Sequence, residues 1–421
     1  MIRTTWIDGL CPCQVVANKL KRKVNMSLEK YRIVLLNQMA GPLFRELAED
    51  LAKIWSQSLL YTGHPDTLQS PASIGLSIKA APAYDRSSNP KRLLSWFRYF
   101  FGALWVTARQ PSDALLFIVS NPPFLGLLGL LFKIIRRQQY VVLVYDVYPD
   151  LLVELGTIRK GLFSQIWTLL NRLVMTHASV VFAIGDDMAH LLEDTYDIKR
   201  TNAGHVIVIP NWADVDSVRP LEKHQNWFAI EHDQVGKITA LYSGNMGNTH
   251  DIESLIAVAR ELKDHETLRF LFIGSGAKWS LVEKTLIEEG LKNITLLPFQ
   301  PEEVLPFSMA SGDIGFVTYQ SGTEACIVPS KSYYYMAAGL VPLVISSRET
   351  DLSRMLVKNN CGLSVRTGDI EGIKQVLLTL AADRERLDNY KIAARAKAEL
   401  EFSRQNTEQF IRAINQFIVL N

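Results

Sequence analysis

Short apolar runs alternate with helical periods along almost the whole sequence, and this alternation restricts the possible folds more than any other feature. The runs in the first half are YRIVLLN (31–37), ALLFIVS (114–120), YVVLVYD (140–146), SVVFAIG (179–185) and HVIVIP (205–210). Those in the second half are KITALYSG (237–244), LRFLFIG (268–274), NITLLPF (293–299), DIGFVTY (313–319), LVPLVIS (340–346) and CGLSV (361–365). Such runs, apolar on both faces and rich in β-branched residues, are typical of parallel strands covered by helices on both sides. The sequence therefore predicts an α/β protein.

A polar, charged stretch without steady periodicity, residues 211–236, separates the two series of runs. We therefore predict two doubly wound, Rossmann-like domains over 27–215 and 237–395, joined by a linker over 216–236. Residues 396–421 are predicted to form a helix that packs back, with Phe410, Ile414, Phe417 and Ile418 on its apolar face, and residues 1–26 a poorly ordered extension. Ligands of such folds bind at the carboxyl ends of strands, so a site is expected in the cleft between the two sheets.

Composition limits the partners and the compartment. The 45 basic and 43 acidic residues leave a net charge of +2, which argues against a protein built to coat nucleic acid. The four cysteines, Cys11, Cys13, Cys326 and Cys361, are too few and too scattered for a disulfide scaffold and fit a reducing compartment. Residues 1–25 lack the pattern of a secretory signal, and no apolar run approaches the about 20 residues needed to span a bilayer. We expect a cytoplasmic protein, soluble or peripheral to the membrane.

Two glycine turns follow strands of the second series. YSGNMGN turns on Gly244 and Gly247 before a helix, and FIGSG carries Gly274, Ser275 and Gly276. Glycines before a helix N-terminus let backbone N–H groups approach a phosphate, although a plain strand-to-helix turn has the same composition. The first turn of the chain has only Gly41, and GSGAKW lacks the third glycine of a dinucleotide fingerprint, so nicotinamide chemistry is a minor alternative.

Carboxylates occur at two places where they bear on chemistry. Asp146 and Asp150 end the strand YVVLVYD, where Asp146 either orients or deprotonates a substrate hydroxyl or merely caps the next turn. Asp214 and Asp216 resemble a metal-binding pair, but their place in the predicted linker favours a solvated turn. The eight histidines form no His-Glu-x-x-His cluster. We predict neither a metal ion nor a cofactor.

Basic and aromatic residues interleave over residues 91–110, KRLLSWFRYFFGALWVTARQ, and an apolar stretch over 124–137 ends in Arg136 and Arg137. This combination suits a helix that rests among anionic head groups. Two core-facing helices of the first domain are the alternative. Contact with a membrane surface through these two segments is therefore one hypothesis.

The serial order of the motifs resembles the family 4 glycosyltransferases of GT-B fold. These motifs are SNPPF (120–124), YDVYPDLLVELG (145–156), VIPNWAD, YSGNMG, FIGSG, LLPFQPEEVLPFSMASGDIGFV and VPSKSYYYMAAGLVPLV. The variant that it resembles most builds bacterial surface polysaccharides and includes N-acetylfucosamine-type transferases. The resemblance covers residues 110–400 well and 27–110 loosely.

The resemblance implies a retaining transfer of sugar from a UDP- or GDP-sugar, held mainly by the second domain, to a lipid-linked or growing glycan acceptor held by the first. Gly41 and Asn121 then belong to the acceptor side, and Asp146 orients the acceptor or the sugar. Gly244 to Asn248 match the loop that meets the donor diphosphate, and the other expected donor contacts in this part of the site are His250, Pro329, Ser330 and Lys331. The residues that match those around the base are Gly274, Ser275, Gly276, Phe299 and Gln300.

Two departures from the family pattern affect the donor site. Asn248, Thr249 and His250 stand where many members place a basic pair that neutralises the diphosphate, so backbone amides, His250 or Lys331 must supply the charge. The family also has two glutamates at a fixed spacing, one for the donor sugar and one for the ribose. Counting back from Pro329 assigns Glu324 to the first position and Ser332 to the second, whereas counting from YMAAG assigns Cys326 and Tyr334. One glutamate is missing either way, which places ribose recognition in doubt.

Three functions follow from these motifs. The leading hypothesis is a glycosyltransferase in which Asp146, Glu324 and Lys331 carry the chemistry. A non-catalytic subunit or nucleotide-sugar sensor would explain the missing glutamate and basic pair. A nucleotide-sugar epimerase shares the architecture, but it needs acid and base groups on both faces of the sugar, and the sequence offers no convincing second group.

Overall fold

The computed structural model describes residues 32–85, 87–198 and 206–416, and within them the chain forms two parallel sheets, each with helices on both faces. The extension predicted over residues 1–26, Cys11, Cys13, Phe417 and Ile418 lie outside the described residues. The predicted class, an α/β chain of two Rossmann-like domains with C-terminal helices, is confirmed.

The first sheet has seven strands in the order β3-β2-β1-β4-β5-β6-β7. The strands are β1 (Ile33–Leu36), β2 (Ser58–Thr62), β3 (Leu76–Ala80), β4 (Leu115–Val119), β5 (Tyr140–Val144), β6 (Val180–Ala183) and β7 (Val206–Val208). The helices between them are α1 (Pro42–Ile54), α2 (Pro65–Gln69), α3 (Asn89–Ala108), α4 (Gly126–Arg136), α5 (Asp150–Glu154), α6 (Leu162–His177) and α7 (Asp186–Tyr196). Strands β1, β4 and β5 are buried along their whole length, as expected for central strands of a doubly wound sheet.

The second sheet has six strands in the order β10-β9-β8-β11-β12-β13. The strands are β8 (Ile238–Asn245), β9 (Leu268–Ser275), β10 (Ile294–Leu297), β11 (Ile314–Thr318), β12 (Val341–Ser346) and β13 (Leu363–Arg366). The helices of this half are α8 (Trp227–Glu231), α9 (Glu253–Glu261), α10 (Trp279–Glu289), α11 (Leu305–Met309), α12 (Lys331–Ala337), α13 (Asp351–Lys358), α14 (Ile370–Ala382), α15 (Arg384–Glu401) and α16 (Thr407–Ile414).

Strands β2 and β3 were not predicted from the sequence. Edge strand β3 is buried only at Leu76, so its sequence LSIKA has no continuous apolar run. The sequence SLLYT of β2 follows helix α1 without an intervening glycine or proline. Strand β2 pairs with β1, and β3 pairs with β2, which no local pattern reveals.

The segment predicted as the linker, 216–236, packs against the second domain. Lys223 Nζ donates to Asp313 Oδ2 at 2.5 Å and to Thr239 Oγ1 at 2.8 Å. Asn226 Nδ2 donates to the carbonyl of Phe307 at 2.8 Å. These bonds fasten the crossover segment to the base of β8 and β11.

The C-terminal helices return to the first domain. Helix α15 contacts α12 of the second domain, where the ring of Phe402 lies 4.7 Å from that of Tyr333. Helix α16 then places Phe410 against the rings of Phe117 and Phe182 in the first sheet. The chain therefore connects its two domains twice.

Candidate active site

The carboxyl ends of the two sheets face each other across a cleft that contains two adjoining cavities. The central cavity, about 430 Å³, is lined by Asp146, Ser243, Gly244, Asn245, Thr249, His250, Ile273, Phe299, Gln300, Leu305, Ser308, Met309, Ile327, Val328, Pro329, Ser330, Lys331 and Tyr334. The first-domain cavity, about 370 Å³, is lined by Asn37, Met39, Gly41, Pro42, Leu43, Phe44, Tyr145, Asp146, Ile184, Asn211, Ile327, Val328, Ser330 and Tyr334. Both volumes suit a small-molecule site. Asp146 and Tyr334 line both cavities, so the two spaces meet at these side chains.

Asp146 lies where the two domains touch. It pairs with Ile327 as an isolated antiparallel bridge, and the backbone N–H of Val147 donates to the carbonyl of Cys326 at 3.0 Å. Its own backbone N–H donates to Ser120 Oγ at 3.3 Å, which joins the ends of β4 and β5. The sequence placed this carboxylate at a cleft, and the structure puts it between the two cavities.

The two glycine turns of the second domain pack directly on each other. Gly244 and Gly274 have φ angles of +137° and +149°, a region that side chains rarely adopt. A Cβ on Gly274 would lie 1.9 Å from the Gly244 carbonyl oxygen, so only glycine permits this approach. The backbone N–H of Met246 donates to the Ser275 carbonyl at 2.7 Å and locks the turns together. The floor of the central cavity is therefore a rigid backbone surface.

Lys331 begins helix α12 and brings a cation to this floor. Its Nζ atom is buried and has no hydrogen-bond partner among the described residues, although part of the side chain is exposed. The atom lies 3.8 Å from the centre of the Tyr242 ring, and a Cβ on Gly244 would be 3.6 Å from it. Burial lowers the pKa of Lys331 to about 7. A buried ammonium without a carboxylate is the arrangement that an incoming anion would complete.

In this structure His250 lacks the positive charge that the sequence allowed it to supply to the diphosphate. Burial, and then the nearby ammonium groups of Lys331 and Lys278, lower the pKa of His250 to about 3. Its Nδ1 atom lies 2.9 Å from the carbonyl oxygen of Thr318, which only accepts, so Nδ1 carries the proton of a neutral ring. Lys278 is itself occupied, because its Nζ donates to Glu253 at 2.7 Å.

The three consecutive tyrosines of α12 point in three directions, as the helical turn of about 100° per residue requires. Tyr333 packs on Phe402 of the C-terminal helix, and the hydroxyl of Tyr335 accepts from the backbone N–H of Ser243 at 2.8 Å. Tyr334 alone lines the cleft. The sequence left two alignments open for the position of the family's second glutamate. The alignment counted from YMAAG assigns Tyr334 to that position, and Tyr334 lines the cavity.

Two of the predicted donor residues lie elsewhere. Glu324 is buried outside both cavities, where its Oε1 accepts from the backbone N–H and hydroxyl of Ser347 at 2.9 and 2.5 Å. Ser332 is fully buried and donates to the carbonyl of Pro329 at 2.9 Å. Neither side chain therefore lines a cavity in this structure, and their roles in holding the donor sugar and the ribose stay predictions. The alternative first position, Cys326, is also buried away from the cavity, and burial raises the pKa of its thiol to about 12.

The other predicted residues divide between the cavity walls and the layer behind them. The cavity walls contain Gly244, Asn245, His250, Phe299, Gln300, Pro329, Ser330 and Lys331 in the second domain and Gly41 in the first. The lining of neither cavity includes Gly247, Asn248, Gly274, Ser275, Gly276 or Asn121. Sequence reasoning did not single out Asn37 and Asn211, which lie in loops, or Ser308, which lies on helix α11.

No group of three metal-ligating side chains occurs in residues 32–85, 87–198 and 206–416. The pair Asp214 and Asp216 lies in a turn, where Asp214 Oδ1 accepts from the backbone N–H groups of Asp216 and Ser217.

Comparison with known proteins finds similarity to glycosyltransferases. Residues 223–397 match the model of the family described as Glycosyl transferases group 1. The probable glycosyltransferase WbjE of Pseudomonas aeruginosa is 28% identical over 290 residues, which are 67% of this chain and 71% of that protein. The putative colanic acid biosynthesis glycosyl transferase WcaI of Escherichia coli is 28% identical over 296 residues, 65% of this chain and 67% of that protein.

Solved structures extend the similarity to the whole fold. Sucrose-phosphate synthase from Thermosynechococcus elongatus superimposes with a TM-score of 0.72 at 14% identity, covering 93% of this chain and 100% of that one. Anabaena HepE in complex with UDP and glucose gives a TM-score of 0.68 at 14% identity, covering 91% of this chain and 98% of that one. The predicted GT-B architecture is confirmed.

Proposed function

We propose that this chain, whose residues 223–397 match the model of the Glycosyl transferases group 1 family, is a retaining glycosyltransferase that uses a UDP- or GDP-sugar. One observation carries the proposal: the buried, unpaired ammonium of Lys331 beside the Gly244 turn, in a cavity that meets a second one at Asp146. A diphosphate needs a cation and a close backbone approach, and this floor offers both. The space beyond Asp146 can receive a second substrate.

The printed names of similar proteins support this choice. The relative WcaI is named for colanic acid biosynthesis, and the HepE structure contains UDP and glucose. We accordingly propose that the acceptor is a lipid-linked or growing glycan of a surface polysaccharide or glycolipid, and that the N-acetylfucosamine-type transferases are the variant to which the chain is closest. The sugar that is transferred is either a hexose or an N-acetylhexosamine.

The proposed chemistry is a front-face substitution at the anomeric carbon. The acceptor hydroxyl forms the new carbon–oxygen bond while the bond from that carbon to the donor phosphate breaks, and the hydroxyl proton passes to the departing phosphate oxygen. Lys331 stabilises the negative charge that develops on the diphosphate, because a preorganised charge in a dry site needs little reorganisation. Asp146, between the two cavities, accepts a hydrogen bond from the acceptor hydroxyl and orients it.

The proposal places the chain in the cytoplasm, peripheral to the inner face of the cytoplasmic membrane, where a lipid-linked acceptor is available. The segments 91–110 and 124–137 carry exposed aromatic and aliphatic side chains, including Phe97, Phe101 and Ile134. Such side chains on the acceptor-binding domain suit an enzyme whose acceptor is held in a bilayer.

The direct test is to remove the cation. We expect Lys331→Ala to lower turnover about a hundredfold, the usual loss for one preorganised charge contact. Lys284→Ala is the matched control, because Lys284 is exposed and pairs only with Glu288 on the surface of α10. A thermal-shift screen with UDP-, GDP-, dTDP- and CMP-sugars identifies the donor to be used, since a ligand of the native state raises its stability. Activity of Lys331→Ala within a few-fold of the parent would refute the role.

A nucleotide-sugar sensor without turnover is the second candidate. It is favoured by Tyr334 and Cys326, which occupy the positions of the family's glutamates when the motif is counted from YMAAG. Calorimetric binding of a sugar nucleotide, with neither hydrolysis nor transfer to a membrane extract, would identify the chain as a sensor. Transfer to any glycan would exclude it.

A further inference from the structure

Three helices of the first domain expose large apolar side chains to solvent. On α3, Phe97, Phe101 and Trp105 are each exposed by 61% or more, at the spacing of one helical face. The full set of exposed apolar residues is Leu93, Leu94, Phe97, Phe101 and Trp105 on α3, Leu131, Ile134 and Ile135 on α4, and Leu162, Phe163, Ile166, Leu169 and Leu173 on α6. We call this set the three-helix surface. The sequence offered core-facing helices as the alternative for residues 91–110 and 124–137. Only the sides of α3 and α4 opposite to this surface pack on the core.

The three helices lie side by side on one face of the first sheet. The connections from β3 to β4, β4 to β5 and β5 to β6 all move in the same direction across the sheet, so right-handed crossovers place α3, α4 and α6 on the same face. Contacts agree with this, because Arg136 at the end of α4 donates to the carbonyl of Ala108 at 2.9 Å, and α4 packs on α6. Exposed patches of this extent are unusual on a monomer surface.

The charge on α3, α4 and α6 themselves has a single sign, although the acidic helix α7 packs on α6 and Asp197 accepts from Arg172 at 2.9 Å. None of α3, α4 and α6 contains an aspartate or a glutamate, whereas α1 and α7 carry several. The basic residues on or beside the three helices are Lys91, Arg92, Arg98, Arg109, Lys133, Arg136, Arg137, Arg159, Lys160 and Arg172. The Arg109 guanidinium lies 3.4 Å from the centre of the Trp105 ring, which joins a cation to an exposed aromatic side chain. In a chain of net charge +2, this segregation selects an anionic partner.

The basic charge of the three-helix surface also distinguishes between a second copy of the chain and a membrane as its partner. A two-fold dimer through this surface would bring each basic patch against its own copy, which repulsion opposes. A bilayer with anionic head groups satisfies both parts of the surface, because aromatic side chains enter the boundary between head groups and acyl chains while Lys and Arg reach the phosphates. No helix in the described part of the chain is long and apolar enough to cross a membrane.

The surface also lies close to the cleft. Trp167 of α6 stacks on Phe124 at 4.4 Å and on Tyr148 at 6.0 Å. These two aromatic residues belong to the loops that leave β4 and β5, and the second loop contains Asp146. A bilayer against α6 would therefore stand one layer of side chains from the junction of the two cavities.

We propose that the three-helix surface, including α6, docks the first domain on a membrane that contains anionic phospholipid and holds the cleft beside the bilayer. The inference names the partner surface of the proposed transferase. Membrane docking is tested in the absence of any sugar nucleotide. A failure of docking can therefore be distinguished from a failure of glycosyl transfer.

The experiment measures co-sedimentation of the full-length protein with vesicles of phosphatidylcholine alone or mixed with phosphatidylglycerol. We expect binding to the mixed vesicles only, weakened several-fold by high salt, which screens the basic residues. The double variant F101E and W105E should lose about tenfold or more in vesicle affinity, because two apolar anchors become charged. The double variant I287E and L400E is the control, since Ile287 and Leu400 are exposed by 76% and 77% on second-domain helices. This control should bind like the parent.

Thermal unfolding verifies that both double variants fold. A parent protein that ignores the mixed vesicles overturns the proposal, as does equal loss of binding in both double variants. The parent protein could instead fail to bind vesicles and elute as a dimer, with the F101E and W105E variant eluting as a monomer. That result would show that the surface binds a second copy of the chain. Glycosyl transfer to a soluble acceptor by the docking variant would leave the proposed activity intact.

Discussion

At the scale of single residues, the site contains one buried cation without a hydrogen-bond partner among the described residues. Lys331 faces the ring of Tyr242 and the neutral imidazole of His250, and the carboxylate nearest in sequence, Glu324, is turned toward Ser347. Burial lowers the pKa of Lys331 to about 7, whereas a bound diphosphate would favour its charged form. This difference makes donor binding dependent on pH.

We predict that the affinity for UDP falls about tenfold per pH unit above neutrality. The pKa of Lys331 is about 7 in the empty protein, so above that pH binding must take up a proton. The same sign applies to stability: the folded state holds this proton less tightly than the unfolded chain, so the unfavourable contribution of Lys331 diminishes as pH rises from about 7 toward 10.5. Calorimetry of UDP across this range checks the slope. Lys331→Met should retain only the slope due to the nucleotide itself, and an unchanged slope would contradict the prediction.

The hydroxyl of Tyr334 offers a second residue-scale test. Tyr334→Phe should raise the KM for the donor about fivefold if the hydroxyl makes one hydrogen bond to it, since such a bond is worth about 1 kcal/mol. Tyr333→Phe is the matched control, because the neighbouring ring packs on Phe402 and does not line either cavity. Equal KM values in the two variants would remove Tyr334 from donor recognition.

At the scale of elements, the site depends on two strands that end side by side in glycine turns. Strands β8 and β9 pair in register as far as Gly244 with Gly274 and Asn245 with Ser275. Because the turns touch through their backbones, residues such as Gly274 and Gly276 shape the floor without lining the cavity. The sequence motif marked the right turns, and the packing decided which residues of each turn face the ligand.

Gly274→Ala should be among the most damaging single substitutions in the second domain. The new Cβ meets the Gly244 carbonyl oxygen and the backbone must leave a φ angle of +149°, so we expect about 3 kcal/mol or more of lost stability together with lost UDP binding. Gly161→Ala is the comparison, because the Cβ there meets nothing within 4 Å and φ is −177°. Urea unfolding measures both, and similar midpoints for the two variants would disprove the close approach.

At the scale of the whole molecule, the C-terminal segment joins the two domains behind the cleft. Arg404, between α15 and α16, donates to both oxygens of Asp50 on α1 at 2.9 Å. Across the cleft itself, Arg354 of α13 donates to Asp187 of α7 at 2.6 Å. Burial alone would raise the pKa of Asp50, but the bonds from Arg404, Lys53 and Thr407 hold it below its ordinary value. The contribution of Asp50 to stability is therefore present above about pH 4 and is lost as the pH falls further.

Arg404→Ala should destabilise the protein by about 1 to 2 kcal/mol, since it leaves Asp50 partly buried without its bidentate partner and Arg404 is itself partly exposed. Arg412→Ala removes an exposed pair with Glu408 on the neighbouring helix and should cost less than about 0.5 kcal/mol. Denaturant unfolding at neutral pH compares them. Asp50 is protonated well below pH 4. If the two variants still differ in stability there, the Arg404–Asp50 ion pair is not the origin of the difference.

The sequence alone was sufficient to predict an α/β fold with two parallel sheets, because parallel strands that are buried on both faces have local apolar runs such as YVVLVYD. It also marked Lys331, Asp146 and the Gly244 turn, since their residue types suit anions and cleft edges. Strand β2 and the edge strand β3 were not predicted, because they depend on pairing rather than on a local pattern. Only the tertiary structure decided the direction of each side chain. Glu324 accepts a hydrogen bond from Ser347 and lies outside the cleft, whereas Tyr334 lies on the face of its helix that lines the cleft. Motif spacing is one-dimensional, whereas membership of a site depends on which face of an element meets the cavity.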